Sequence, residues 1–180
     1  MKTTIEKYSN IICQMLETFQ KKNTDYGNSV LRSYNEYGLV AIFVRIEDKV
    51  NRFHQLATSG EQHVKDESMI DTLLDCASYC FMALAYTNEE NKEDTEYDRF
   101  KGVTDDSIAM MNSYLRGSAF FMGYEEMYNR YGLMPTAYNL DTYMACLRNA
   151  LKAKLDHSEN DIHMLAQEAI VTVILMLNKE

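Results

Sequence analysis

Three carboxylates, Glu67, Asp71 and Asp75, recur every four residues in a stretch whose apolar residues follow a helical period. At 3.6 residues per turn they span only about 80° of the circumference, so they form one acidic stripe. Like charges at that spacing oppose one another unless a cation lies among them. Ile70, Leu74, Ala77 and Phe81 flank the stripe, which therefore borders the core. Carboxylates of this kind suit Mg2+ or Mn2+, hard cations that take oxygen ligands and keep open positions for phosphate oxygens. A preceding segment supplies Glu47 and Asp48, with Arg45, Lys49 and Arg52 at helical spacing beside them. Metal ions and a cationic clamp together suit a polyphosphate, the cations holding the oxygens that the metals leave. The matching chemistry is attack of a metal-activated water on phosphorus with release of pyrophosphate, Glu67 and Asp71 being the catalytic candidates. A solvated helix face of mixed charge is the alternative, and Glu47 taken alone fits it.

These residues need long helices to hold them. One proline and seven glycines leave few breakers in 180 residues, which favours an all-α helical bundle over a strand-rich fold. Ile5, Tyr8, Ile12, Met15, Leu16 and Phe19 line a first helix over about residues 4–21. Lys21 to Ser29 reads as a polar loop, in which Tyr26, Asn28 and Ser29 either read a base or sugar or simply turn the chain. A second helix follows Gly38 with Ile42, Phe43, Ile46, Val50, Phe53 and Leu56 inward, and a third begins near Asp66. Residues 88–98 hold six acidic side chains, so 89–104 is predicted as a solvated linker, with helices resuming near Asp105.

The second half looks like an altered copy of the first. Tyr34-Asn35-Glu36-Tyr37-Gly38-Leu39 recurs as Tyr128-Asn129-Arg130-Tyr131-Gly132-Leu133, five of six positions being identical. Continued through single-residue gaps, the alignment keeps the apolar register but sets His163 at Asp71, Gln167 at Asp75, Thr142 at Lys49 and Ala145 at Arg52. Packing persists while the charged constellation disappears, which places the site in residues 1–88 and makes 105–180 a degenerate repeat that completes the bundle.

Composition narrows the function classes. A net charge of −9 disfavours a nucleic-acid polymer, whose binding rests on Lys and Arg neutralising phosphates. No run of eighteen apolar residues predicts a membrane span, and the N-terminal stretch lacks a signal-peptide core. Cys13, Cys76, Cys80 and Cys146 have no zinc spacing and read as small buried hydrophobes in a reducing cytoplasm.

The run Lys22-Asn23-Thr24-Asp25-Tyr26-Gly27-Asn28-Ser29, then Arg45-Ile46-Glu47-Asp48-Lys49 with Arg52, then Asp66-Glu67-Ser68 with Asp71-Thr72-Leu73-Leu74-Asp75, resembles the nucleotide modification associated domain. That group is similar to the MazG-like and dimeric dUTPase-like all-α nucleotide pyrophosphohydrolases. The resemblance covers about residues 5–87 and implies a helical bundle with magnesium held by Asp48, Glu67 and Asp71, joined by Asp75. It further implies a nucleotide substrate met by Lys22, Arg45, Lys49 and Arg52 with Tyr26, Asn28 and Ser29, and a homo-oligomer, in the simplest case a dimer. The expected activity is metal-dependent hydrolysis of a (deoxy)nucleoside triphosphate. A protein that sequesters a nucleotide without turnover is the alternative, and a ligand-free helical assembly module is a third.

Overall fold

With so few breakers, what divides the chain is a handful of left-handed turns and polar caps. A computed structural model describes residues 2–60, 68–88, 93–116, 119–153 and 159–179, with side chains for 5–60, 68–88, 93–113, 121–152 and 159–179. As predicted, the protein is all-α: eight helices and no strand occur among the described residues. They are α1 (Lys2–Tyr26), α2 (Ser29–Tyr37), α3 (Val40–Ser59), α4 (Met69–Thr87), α5 (Glu96–Arg116), α6 (Ala119–Tyr131), α7 (Met134–Ala153) and α8 (Glu159–Leu177). The one proline, Pro135, lies in the first turn of α7, where its missing N–H costs nothing.

Helix α4 is the centre of the bundle, packed between α3 and α8, while α7 bridges α3 and α8 and α1 lies along α5. Its Leu73, Cys76, Ala77, Cys80 and Phe81 are buried against Ile42, Ile46, Val50 and Phe53 of α3. Helices α4 and α8 are long and apolar enough to cross a membrane by length and composition. Their apolarity is accounted for by burial, since they pack on each other with residues from nearly every face covered. Glu168 of α8 is fully buried and accepts hydrogen bonds from Tyr124 Oη and Asn139 Nδ2, both at 2.8 Å. Burial pushes its carboxyl up to about 7, against the pull of those donors.

Four sequence expectations are corrected. Lys21 to Tyr26 continue α1 instead of forming a loop; only Gly27 and Asn28, both at φ 57, make the turn, and Ser29–Tyr37 is a further helix. Polarity there signals exposure of a helix end, not the absence of a helix. Helix α4 starts at Met69, because Ser68 caps it: Ser68 Oγ accepts from Asp71 N while the Asp71 carboxylate accepts from Ser68 N. Asp66, where the start was expected, lies outside the described residues.

The predicted 89–104 linker is helical from Glu96 onward, because Thr95 Oγ1 accepts from Asp98 N and caps α5. Asp105 and Asp106 therefore stand inside a helix rather than at its start. Of the acidic run only Glu96 and Asp98 lie in α5, Asp98 exposed and Glu96 partly buried, and two residues on Phe100 is fully buried. Finally, Cys76 and Cys80 are buried as expected, but Cys13 and Cys146 are exposed. Both copies of the repeated hexad end a helix at a glycine of positive φ (Gly38 69°, Gly132 67°), and the next helix begins two residues later.

Phe100 tests the corrected assignment. Its ring stacks on Phe19 at 4.1 Å between centroids and meets Phe81 edge-on at 6.1 Å. Phe100→Ala is expected to cost about 3–5 kcal/mol by urea unfolding, whereas a residue in a solvated linker would cost almost nothing.

Candidate functional site

The final turns of α1, the start of α2, and the facing sides of α3 and α4 enclose a pocket of about 260 Å³. Phe19, Val30, Tyr79 and Met82 supply its apolar wall, and Thr18, Asn23, Ser78, Lys22, Arg45 and Asp75 its polar one. Apolar walls with a few converging polar groups are the usual make-up of a small-molecule site. Asn28, which precedes α2, is left-handed and gives the helix no side-chain cap. Ser29 and Val30 line the pocket, so the positive end of the α2 dipole faces it, an arrangement that favours anions.

Asp75 stands at the meeting point of three helices. Its Oδ1 lies 3.0 Å from Lys22 Nζ of α1, and its Oδ2 lies 3.0 Å from Lys49 Nζ of α3. Burial alone would raise its pKa, but the hydrogen bonds and charges of Lys22 and Lys49 prevail and hold it below the ordinary aspartate value. Arg45, one turn before Lys49, places its guanidinium 5.8 Å from the centroid of the Tyr79 ring. The i, i+4 spacing of Arg45 and Lys49 on α3 is what brings both to the α4 side. Arg52, one turn further on, donates from Nε to Thr72 Oγ1 at 3.0 Å.

The predicted site residues thus divide. Lys22, Tyr26, Ser29, Arg45 and Asp75 line the pocket, and Lys49 reaches it through Asp75. Asn28 forms the turn at its edge without lining it. Asp71 is exposed on an adjoining groove that shares Lys22 and Asp75 with the pocket. Arg52 braces α3 against α4. Asp48 is exposed in a shallow groove with Tyr37, Val40, Val44 and Arg45, and lines neither the pocket nor the groove that holds Asp71 and Asp75. Glu67 lies outside the described residues. Glu47, read as a solvated residue, receives Arg148 Nε of α7 at 2.8 Å.

Thr18, Asn23, Ser78 and Tyr79 are pocket residues beyond those that the sequence brings out. Thr18, Ser78 and Tyr79 follow helical packing and carry no distinctive sequence signal. Asn23 stands within the Lys22–Ser29 run, and its place there is the one signal that marks it.

A divalent cation requires several oxygen ligands around one point. Among the described residues no three His, Cys, Asp or Glu side chains converge in this way. Asp75 has both oxygens on ammonium groups, and one Asp71 oxygen takes both Ser68 N and Ser68 Oγ, at 3.0 and 2.7 Å. As arranged, the described carboxylates do not fit a magnesium ion, while the cations around them fit an anion.

Residues 22–86 match the family model described as nucleotide modification associated domain 1. The matched stretch contains the pocket residues from Lys22 through Met82. Comparison with curated proteins and with solved structures finds no match.

The Asp75 contacts predict a pH signature. A carboxyl whose folded pKa lies below its unfolded value contributes stability at neutral pH, and that contribution disappears as pH falls through the folded pKa. Asp75→Asn is expected to lower stability by about 1 kcal/mol or less at pH 7, since all three side chains are partly exposed to screening water. The gap between wild type and variant closes below about pH 4. Urea titrations at pH 7 and pH 3 measure it; an equal gap at both pH values contradicts the assignment.

Proposed function

We propose that this protein binds a nucleotide by its phosphates, in the pocket where Lys22, Arg45 and the uncapped start of α2 meet, and hydrolyses a (deoxy)nucleoside triphosphate to monophosphate and pyrophosphate. One observation carries the binding reading: cations from α1 and α3 and a helix N-terminus all face one small pocket with an apolar wall. Lys22 and Lys49 already hold one anion, the Asp75 carboxylate, so phosphate oxygens can take its place without rebuilding the site. The match of residues 22–86 to a nucleotide-associated family supports the same ligand class.

Hydrolysis is the finer reading, in line with the resemblance to MazG-like and dimeric dUTPase-like pyrophosphohydrolases. Magnesium or manganese would require a different arrangement, with Asp75 released from Lys22 and Lys49 and Asp71 from the Ser68 cap before either could act as a ligand. A second reading, a protein that sequesters a nucleotide without turnover, is favoured by the two lysines that occupy Asp75. The proposal includes a cytoplasmic homodimer, for which the exposed Tyr37, Val40 and Val44 offer an apolar strip. It also includes an origin by duplication, supported by the two hexads and their matching helix ends. Gln167 and His163, standing where Asp75 and Asp71 stand in the first half, leave the second half without the charged site.

A panel of ribo- and deoxynucleoside triphosphates, with and without Mg2+ or Mn2+, tests these readings by calorimetry and by chromatography of products. Lys22→Ala and Arg45→Ala are each expected to weaken the preferred nucleotide about tenfold or more, the loss of one charge-assisted contact. Pyrophosphate release that Asp71→Asn abolishes and Ser68→Ala retains establishes the enzyme, since Ser68→Ala removes the cap but keeps the carboxylate. Tight binding without product establishes the sequestering protein, and no binding of any nucleotide refutes both. Light scattering of the same samples reads the oligomeric state, and a monomer removes the dimer from the proposal.

A further inference from the structure

Asn23 and Glu96 face each other across α1 and α5 in a way that fixes what the pocket can recognise. Asn23 donates from Nδ2 to Glu96 Oε2 at 2.9 Å, and the buried Tyr86 donates from its hydroxyl to Glu96 Oε1 at 2.6 Å. An ionised carboxylate only accepts hydrogen bonds, so the Asn23 amide must turn its NH2 group toward Glu96. Glu96 is in the first turn of α5. The amide of Asn23 therefore has one orientation, with its carbonyl oxygen left over. Among the described residues no donor meets that Oδ1, and Asn23 is part of the pocket wall.

We infer that Asn23 is a specificity residue, offering a hydrogen-bond acceptor to an N–H of the base or an O–H of the sugar, and that Glu96 is the positioning residue that sets this polarity. The inference rests on the nucleotide reading of the pocket. Phosphates belong with Lys22, Arg45 and the start of α2, and the opposite, donor-bearing part of the ligand belongs with Asn23 and the apolar wall. A site built to pair with a donor discriminates against an analogue that lacks it, because the acceptor is then left unsatisfied.

The test compares the best-bound deoxynucleoside triphosphate with two analogues, one N-methylated on the base edge and one lacking the sugar hydroxyl (2′,3′-dideoxy). Wild type is expected to bind one of the two about tenfold more weakly than the parent, which tells base from sugar. In Glu96→Gln, the introduced amide can still accept from Tyr86 and can donate to Asn23 Oδ1. Asn23 then turns its NH2 group to the pocket, and the discrimination is lost.

The double variant N23D/E96Q keeps the net charge and restores an acceptor, the new amide on α5 donating to the new carboxylate on α1. It is expected to regain the discrimination. A merely structural role would lower the melting temperature and weaken parent and analogues alike, leaving their ratio unchanged. Full discrimination in Glu96→Gln, or none regained in the double variant, overturns the inference. Wild type that binds parent and both analogues equally overturns it too, with the nucleotide reading intact. Wild type that binds no nucleotide refutes the underlying reading and this inference together.

Discussion

A half-buried carboxylate between two lysines, each on a different helix, is the constraint around which the first half is arranged. Asp75 is desolvated enough that an unpaired charge there would be costly, and it is paired on both oxygens. Satisfying it draws Lys22 at the end of α1 and Lys49 in the middle of α3 to one point beside α4, while the buried core sets how closely those helices approach. The pocket is the space left beside that junction. Its cations are held ready by an internal anion, which keeps the site ordered without a ligand and limits the cost of ordering side chains on binding. The contact is modest in energy because water still reaches it, so its importance lies in placement.

The second half packs on the first through α8 against α4 and α7 against α3. Helix α8 buries nearly its whole length against α4 and α7, and α7 meets α3 through Arg148–Glu47 and His54–Asp141. These pairs lie on sides of α3 away from Asp75. Gln167 of α8 is fully buried, and one residue on lies Glu168, buried and hydrogen-bonded to Tyr124 and Asn139. Glu168 is satisfied by its neighbours and Thr136 pairs with Thr172, whereas Gln167 Oε1 and His163 Nδ1 are buried with no hydrogen-bond partner among the described residues.

Helical periodicity made the fold class and the inward faces of α3 and α4 legible in the sequence, because burial dictates a spacing that apolar residues must obey. Boundaries were less legible. The polar end of α1 and the acidic start of α5 have the composition of loops; the Thr95 cap that starts α5 is a local contact, but Phe100 is buried against Phe19 and Phe81, which are distant in sequence. For the site, spacing alone brought out Asp75, Arg45 and Lys49, since side chains four apart share a helix face. It could not show that Asp48 lines neither the pocket nor the groove of Asp71 and Asp75, because the rotation of α3 is set by its packing. Nor could it show that Asp71 spends an oxygen on a helix cap, or that Asn23 is oriented by a glutamate far along the chain on α5.

The most direct test of the central claim is the titration of Asp75 itself, followed by carboxyl 13C NMR with and without inorganic pyrophosphate. If phosphate oxygens take Lys22 and Lys49 from Asp75 and add negative charge beside it, the Asp75 pKa rises on addition of pyrophosphate. An Asp75 pKa that is the same with and without pyrophosphate would contradict the account, because the anion would then be binding elsewhere or not at all.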